Sequence, residues 1–160
     1  NRTQFGYFGL VNKAKAFEEM LNGWKRFNVN GDKTLHIMTS TELPNINFGD
    51  YPGVIYHHNM GKEEIGELLF NCAFSIIPVK PNVGILNTSF TSSIQCGCIP
   101  IGIFNEDLKN KEFVLNMEEK LKDEEFLADT DLILSPEVEY DAQEAWKMVH
   151  DALVERLSTE

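Results

Sequence analysis

Short apolar runs along the chain alternate with stretches in which apolar residues recur every three or four positions. Residues 5–10 (Phe-Gly-Tyr-Phe-Gly-Leu) form the first run and read as a strand. After it, Phe17, Met20, Leu21 and Trp24 fall at i, i+3, i+4 and i+7, the spacing that places side chains on one face of an α-helix. A turn cluster at 28–32 (Asn-Val-Asn-Gly-Asp) stops that helix. Residues 34–39 predict a second strand, and Pro52-Gly53 leads into a third at 54–57. Ile65, Leu68, Leu69 and Cys72 mark a second helical face, with Glu63 and Glu64 in its first turn, where the helix dipole favours acids. Residues 73–79 suit a strand buried on both sides, 88–96 a helix, and 99–104 another strand. Beyond residue 105 a charged helix is expected over 116–127 and a short strand over 131–134. Ala142, Ala145, Trp146, Val149 and Leu153 then define a final helix reaching Leu157. Strands alternating with helices imply right-handed βαβ crossovers. The expected fold is therefore α/β, a Rossmann-like doubly wound parallel sheet of five or six strands with helices on both faces.

Composition narrows the class. A chain of 160 residues with 42% hydrophobic content can bury one core without metal or disulfide support, so residues 1–160 read as a single domain. No apolar run approaches the ~20 residues needed to span a bilayer. The chain opens on Asn-Arg-Thr-Gln rather than Met and runs straight into an apolar segment, so it is expected to be a fragment of a longer protein with another domain upstream. Cys72, Cys96 and Cys98 make an odd count without disulfide spacing, which fits a reducing compartment and a cytoplasmic location. Cys96 and Cys98 have no neighbouring histidine or second cysteine pair, so no metal is expected there. The net charge is -11 and no basic stripe interleaves with aromatics, which argues against nucleic acid as a partner. Any anionic ligand would need a local site of amides and one or two cations. Trp24 and Trp146 lie on apolar helical faces and are expected in the core. The stretch from Glu118 to Glu125 is expected to be a solvated helix face.

Ligands of open α/β sheets bind where the strands end, so the loops after the strands are the places to search. The most informative one, residues 78–89, contains Gly84 and ends in Asn87, Thr88 and Ser89, all of which favour helix N-caps. These residues can simply cap a helix, or their free amides can receive a phosphate or diphosphate.

The order of elements also resembles a family. Tyr51-Pro52-Gly53-Val54-Ile55-Tyr56, then Ile65-Gly66-Glu67-Leu68-Leu69, then Ala73-Phe74-Ser75-Ile76-Ile77-Pro78, then Gly97-Cys98-Ile99-Pro100 look like the carboxy-terminal donor domain of GT-B glycosyltransferases of the group 1 family. Phe8-Gly9 followed by Lys13 and Lys15 resembles the opening turn of that domain, and Leu132-Ile133-Leu134-Ser135-Pro136 its closing segment. The resemblance implies half of a GT-B architecture that binds a nucleoside-diphosphate sugar as donor substrate, with no metal cofactor, and transfers the sugar to an acceptor hydroxyl. It places the amides of Asn87, Thr88 and Ser89 and the Lys15 ammonium on the diphosphate, Lys15 stabilising the departing charge. It places Ser92 at the ribose, Gly84 facing the sugar and His57 at the nucleobase. The acceptor, a glycan or lipid, would be held by the missing amino-terminal domain. The role implied is in surface glycan or exopolysaccharide synthesis, with peripheral membrane association of the full-length protein.

The departures from the family pattern bear on activity. Ser92 and Gly84 stand where retaining members carry glutamates, and Leu10 stands where an arginine usually follows Gly9, leaving the cation role to Lys15 or Lys13. The rival expectation is a non-catalytic binding or scaffold domain that keeps the fold and has lost the carboxylates. A dinucleotide-binding domain is disfavoured because no G-x-G-x-x-G follows the first strand. Adjacent histidines in a strand point to opposite faces, so His57 and His58 cannot both meet one ligand.

Overall fold

The computed structural model describes residues 3–11, 16–80, 82–116 and 141–159. It contains a six-stranded sheet in the order β3-β2-β1-β4-β5-β6. The strands are β1 (Gln4–Phe8), β2 (Thr34–Thr39), β3 (Val54–His58), β4 (Phe74–Ile77), β5 (Ile99–Gly102) and β6 (Leu115–Asn116), and all neighbours are parallel. The helices are α1 (Phe17–Phe27), α2 (Lys62–Phe70), α3 (Thr88–Gln95), α4 (Glu106–Lys109) and α5 (Ala142–Ser158). The expected doubly wound α/β architecture is thus present. No helix among the described residues is long and apolar enough to cross a membrane.

Alternation along the central strands builds three buried clusters. On one face Phe5, Tyr7, Leu35, Ile37, Phe74, Ile99 and Ile101 meet Phe17, Leu21, Trp24 and Phe27 of α1. Phe5 is the centre of an aromatic cluster, stacked on Phe74 at 4.8 Å and edge-on to Trp24 at 5.2 Å and Phe27 at 5.6 Å. Each fully buried side chain of this size contributes roughly 1.5–3 kcal/mol relative to exposure. α1 is further suited to its place by Glu18 and Glu19 in the first turn and Lys25 and Arg26 in the last, which match the helix dipole. On the opposite face Met38, Leu69, Cys72 and Cys98 pack together beneath α2, while Phe90 and Ile94 of α3 join Phe104, Leu108, Ala145 and Val149 in a third cluster.

Asn28, fully buried at the end of α1, ties three elements together. Its amide nitrogen donates to Lys33 O (2.9 Å) and Pro52 O (2.8 Å), and its carbonyl accepts from Lys33 N (3.1 Å). Gly53 sits against this knot with φ +78°, and a Cβ there would come within 2.1 Å of Lys33 O. Only glycine fits such a turn.

Some expectations need revision. β4 and β5 are shorter than the apolar runs that predict them, because Pro78 and Ile103 lie beyond the last sheet pairing. β6, α4 and a 3-10 turn at Phe48–Asp50 are not anticipated by periodicity, each being too short to show one. Trp146 is not core. It is 42% exposed, as is Leu153, because α5 packs on its partners through Ala145 and Val149, and Trp146 lies off that line. The helix expected over 116–127, the strand over 131–134 and the acidic stretch Glu118 to Glu125 fall outside the described residues, apart from Asn116 in β6.

Candidate functional site

The carboxyl ends of β1 and β4, at the centre of the sheet, face the start of α3. Ser89, mostly buried, donates from Oγ to Phe8 O at 2.8 Å and so pins the first turn of α3 to the last residue of β1. Ser93 repeats the device one turn on, donating to Ser89 O at 2.7 Å. After β1 the chain passes Gly9, whose φ of +131° requires glycine, and Val11, whose amide donates to Thr41 Oγ1 at 3.0 Å. It reappears at Ala16, whose amide donates to Pro78 O at 2.8 Å. The flanks of residues 12–15 are therefore anchored to the ends of β2 and β4. Lys13 and Lys15 themselves lie outside the described residues.

At the head of α3, Asn87 is the N-cap. Its backbone is extended and its side-chain carbonyl accepts from Phe90 N at 3.0 Å, while its own amide donates to Gly84 O at 3.1 Å. That leaves the amides of Thr88 and Ser89 without a protein acceptor among the described residues. Two unsatisfied N–H groups at a helix start make a local positive end in an otherwise acidic protein. The capping and anion-binding readings are thus compatible: the cap uses one amide and leaves two.

The structure brings Gly84, Asn87, Thr88 and Ser89 together, with Ser92, half-buried, one turn along α3. The Ser89 hydroxyl is already committed to Phe8, so only the amide of that residue is free for a ligand. His57 is elsewhere. It sits on β3, separated from β1 by β2, and its Nε2 lies 3.1 Å from His36 Nδ1. His36 Nε2 in turn lies 2.8 Å from Gln4 Oε1. The glutamine carbonyl can only accept, so His36 holds its proton on Nε2 and its Nδ1 accepts from His57 Nε2–H. Burial holds His36 below its ordinary pKa, with the charge of His57 as a second cause, and burial alone lowers His57. His58 faces the other way, its Nδ1 2.8 Å from the Tyr56 hydroxyl.

The loops after β4 and β5 are zipped together beside α3. Val83 N donates to Ile103 O at 2.6 Å and Asn105 N to Val83 O at 3.1 Å. Gly102 permits this closeness, since a Cβ there would lie 2.8 Å from Ile77 O. Gly84 has no such steric need. A Cβ built on it would meet only Asn105 Nδ2, at 3.6 Å, so a side chain fits where the resembled family carries a carboxylate. Asn105 itself escapes sequence reasoning. Its Oδ1 is buried with no hydrogen-bond partner among the described residues, and no pattern in the sequence marks it.

Two cavities border this edge without coinciding with it. One, of about 630 Å³ at the ends of β1 and β2, is lined by Glu18, Glu19 and Glu42, three carboxylates that would repel a diphosphate. The other, of about 360 Å³, is an apolar groove between α1 and the β4–β5 face. The thiols offer no nucleophile, because burial pushes Cys72 up to about 11 and Cys98 higher still. Among the described residues no three His, Cys, Asp or Glu side chains gather where they could hold a metal ion. Asp129-Thr130-Asp131 is an Asp-x-Asp triplet that the metal-free expectation passes over, and it lies outside the described residues.

No family model matches this chain, and none of the curated proteins does. Solved structures do. The chain is similar in fold to the catalytic domain of cholesterol-α-glucosyltransferase from Helicobacter pylori, with a TM-score of 0.67 at 13% identity over 95% of this chain and 99% of that one. It is similar to the C-terminal domain of a glycosyl transferase group 1 family protein from Francisella tularensis, with a TM-score of 0.62 at 14% identity over 92% and 84%. It also matches an E. coli trehalose-6-phosphate structure bound with UDP-2-fluoro glucose, with a TM-score of 0.65 at 10% identity over 94% of this chain but only 41% of that one. The fold is that of GT-B glycosyltransferase domains.

Proposed function

We propose that this chain is the donor-binding domain of a glycosyltransferase, which takes a nucleoside-diphosphate sugar and presents it to an acceptor held by another part of a longer protein. The observation that carries the reading is the Ser89 to Phe8 hydrogen bond of 2.8 Å, which sets the two free amides of α3 at the mouth of the central strands. A diphosphate there meets oriented donors and the positive end of a helix. Departure of the nucleoside diphosphate builds negative charge, and preorganised amides stabilise that charge without reorganising. Lys15 is assigned the matching ammonium. Ser92 is assigned to the ribose, and the acceptor to a glycan or lipid in surface glycan synthesis at the cytoplasmic side of a membrane. His57 is assigned to the nucleobase, with its Nε2 held by His36 at 3.1 Å.

A second reading, a binding or scaffold domain without catalysis, draws on Gly84 and Ser92, where the resembled family has carboxylates. Calorimetric titration at fixed salt addresses the shared part of both readings. Nucleoside diphosphates are expected to bind better than the monophosphates, and equal affinity would show that the phosphate site is misplaced. Lys15→Ala is expected to weaken diphosphate binding by roughly 1.5–3 kcal/mol, with Lys13→Ala doing much less. Sugar transfer by the full-length protein separates enzyme from scaffold.

A further inference from the structure

We infer that Tyr7 and Thr41 are positioning residues for the donor: they fix the turn after β1 so that the backbone amide of Leu10 joins those of Thr88 and Ser89 on the diphosphate. The inference rests on the donor-domain reading above. The peptide between Leu10 and Val11 is clamped at both ends, its carbonyl accepting from the Tyr7 hydroxyl at 2.9 Å and its N–H donating to Thr41 Oγ1 at 3.0 Å. The peptide between Phe8 and Gly9 is clamped in the same way, its N–H donating to Met38 O at 3.2 Å and its carbonyl accepting from Ser89 Oγ at 2.8 Å. Between these two fixed peptides lies the amide of Leu10, which has no acceptor among the described residues. Leu10 is 58% exposed, so a ligand can reach it.

The two anchors are themselves held. Tyr7 is 1% exposed and its ring packs edge-on against Phe17 at 5.2 Å, which fixes where its hydroxyl can stand. Thr41 is pinned through its backbone, its amide donating to Thr39 Oγ1 at 3.1 Å and its carbonyl accepting from the Tyr56 hydroxyl at 2.8 Å. The turn is thereby tied to β1, β2 and β3 at once. Leu10 follows Phe8 by two residues, and with ~3.8 Å between consecutive Cα atoms its amide stays beside the head of α3, where Ser89 meets Phe8 O. The N–H groups of Gly9 and Val11 are spent on Met38 and Thr41 at the β2 side, which leaves the Leu10 N–H as the donor this turn can offer a ligand. An amide N–H only donates, so three of them without protein acceptors suit oxygens that only accept. A diphosphate presents several such oxygens, and its charge strengthens each bond.

The test is calorimetric titration of the 160-residue chain with UDP, ADP and GDP and with the three corresponding monophosphates. Thr41→Val removes the acceptor for Val11 N and keeps the shape, Thr41→Ser keeps the hydroxyl, and Tyr7→Phe removes the donor to Leu10 O alone. For the nucleotide that binds, Thr41→Val and Tyr7→Phe are each expected to weaken the diphosphate about 3- to 10-fold, the worth of one hydrogen bond, and the monophosphate less. Thr41→Ser is expected to restore the affinity, and Leu10→Ala, which keeps the amide, to leave it unchanged. Tyr7→Phe serves if Thr41→Val folds poorly. A merely structural role would lower the melting temperature and weaken both nucleotides alike, and that result overturns the inference. Unchanged diphosphate affinity in both Thr41→Val and Tyr7→Phe overturns it too, while the site at α3 stands. Failure of all three diphosphates to bind the unaltered chain overturns the donor-domain reading itself, and this inference with it.

Discussion

Replacing Asn28 by Ala removes a buried side chain that joins the end of α1 to the starts of both β2 and β3 through hydrogen bonds. Three bonds of 2.8–3.1 Å disappear: Lys33 N and Lys33 O lose a partner beside a side chain with no exposure, and Pro52 O keeps the Trp24 indole N–H at 2.8 Å. At a net value of about 1 kcal/mol per bond the loss is about 3 kcal/mol, a large share of the ~5–15 kcal/mol that holds a domain of ordinary stability. For a domain of this size that corresponds to a fall of roughly 6–12 °C in melting temperature. Asn28→Asp sharpens the test. It keeps the shape and the acceptor for Lys33 N, but it turns an oxygen toward two carbonyl oxygens that now receive a donor, so it should cost at least as much as Ala. Urea unfolding followed by far-ultraviolet circular dichroism, at matched slopes, measures both. A loss under about 1 kcal/mol for Asn28→Ala would refute the idea that this residue holds the three elements together.

The remaining expectations concern the histidine ladder and the two glycines by the site. His36 and His57 are both held below their ordinary pKa by burial, so the unfolded chain binds protons more readily than the folded one; stability is complete above about pH 6.5 and is lost as pH falls below it. Unfolding midpoints at pH 7.5 and 5.5 should differ in the unaltered chain and differ less in His36→Gln, and no change in the unaltered chain would contradict the depression of these two pKa values by burial. Gly84→Glu should leave stability within about 0.5 kcal/mol, because its Cβ meets only an ordinary contact, whereas Gly102→Ala should lose roughly 1–3 kcal/mol against Ile77 O. Similar thermal melts for the two variants would show that the β4–β5 approach is looser than described.

Fold class was legible from the sequence because the central elements are long enough to display a period. Phe17, Leu21 and Trp24 repeat at helical spacing and are buried against β1, and the runs at 34–39 and 99–102 are strands. Two-residue β6 and four-residue α4 complete no period, and they are held by tertiary contacts with β5 and the α3 cluster instead. Trp146 misleads for a related reason, since a helical stripe wider than its partner leaves an edge in solvent. In the site, cap-forming residue types mark Asn87 to Ser89. The commitment of the Ser89 hydroxyl to Phe8, the pairing of His57 with His36, and the unmatched carbonyl of Asn105 all depend on residues brought together from distant strands, which no local pattern encodes.

The central placement of β1 has a kinetic side. Phe5 pairs across the sheet with Phe74, and every neighbouring pair of strands is parallel, so no contact in the sheet can be closed by a hairpin. Folding must bring together segments far apart along the chain before the central ladder returns any free energy, which places the domain among the slower, high-contact-order folders. During synthesis, Phe5 and Tyr7 can gain α1 and β2 early, but one side of β1 has no neighbour until β4 leaves the ribosome. β1 is therefore paired on both sides only once the chain has been made as far as Ile77. Until that point the nascent chain carries an open apolar edge, where premature association is most dangerous.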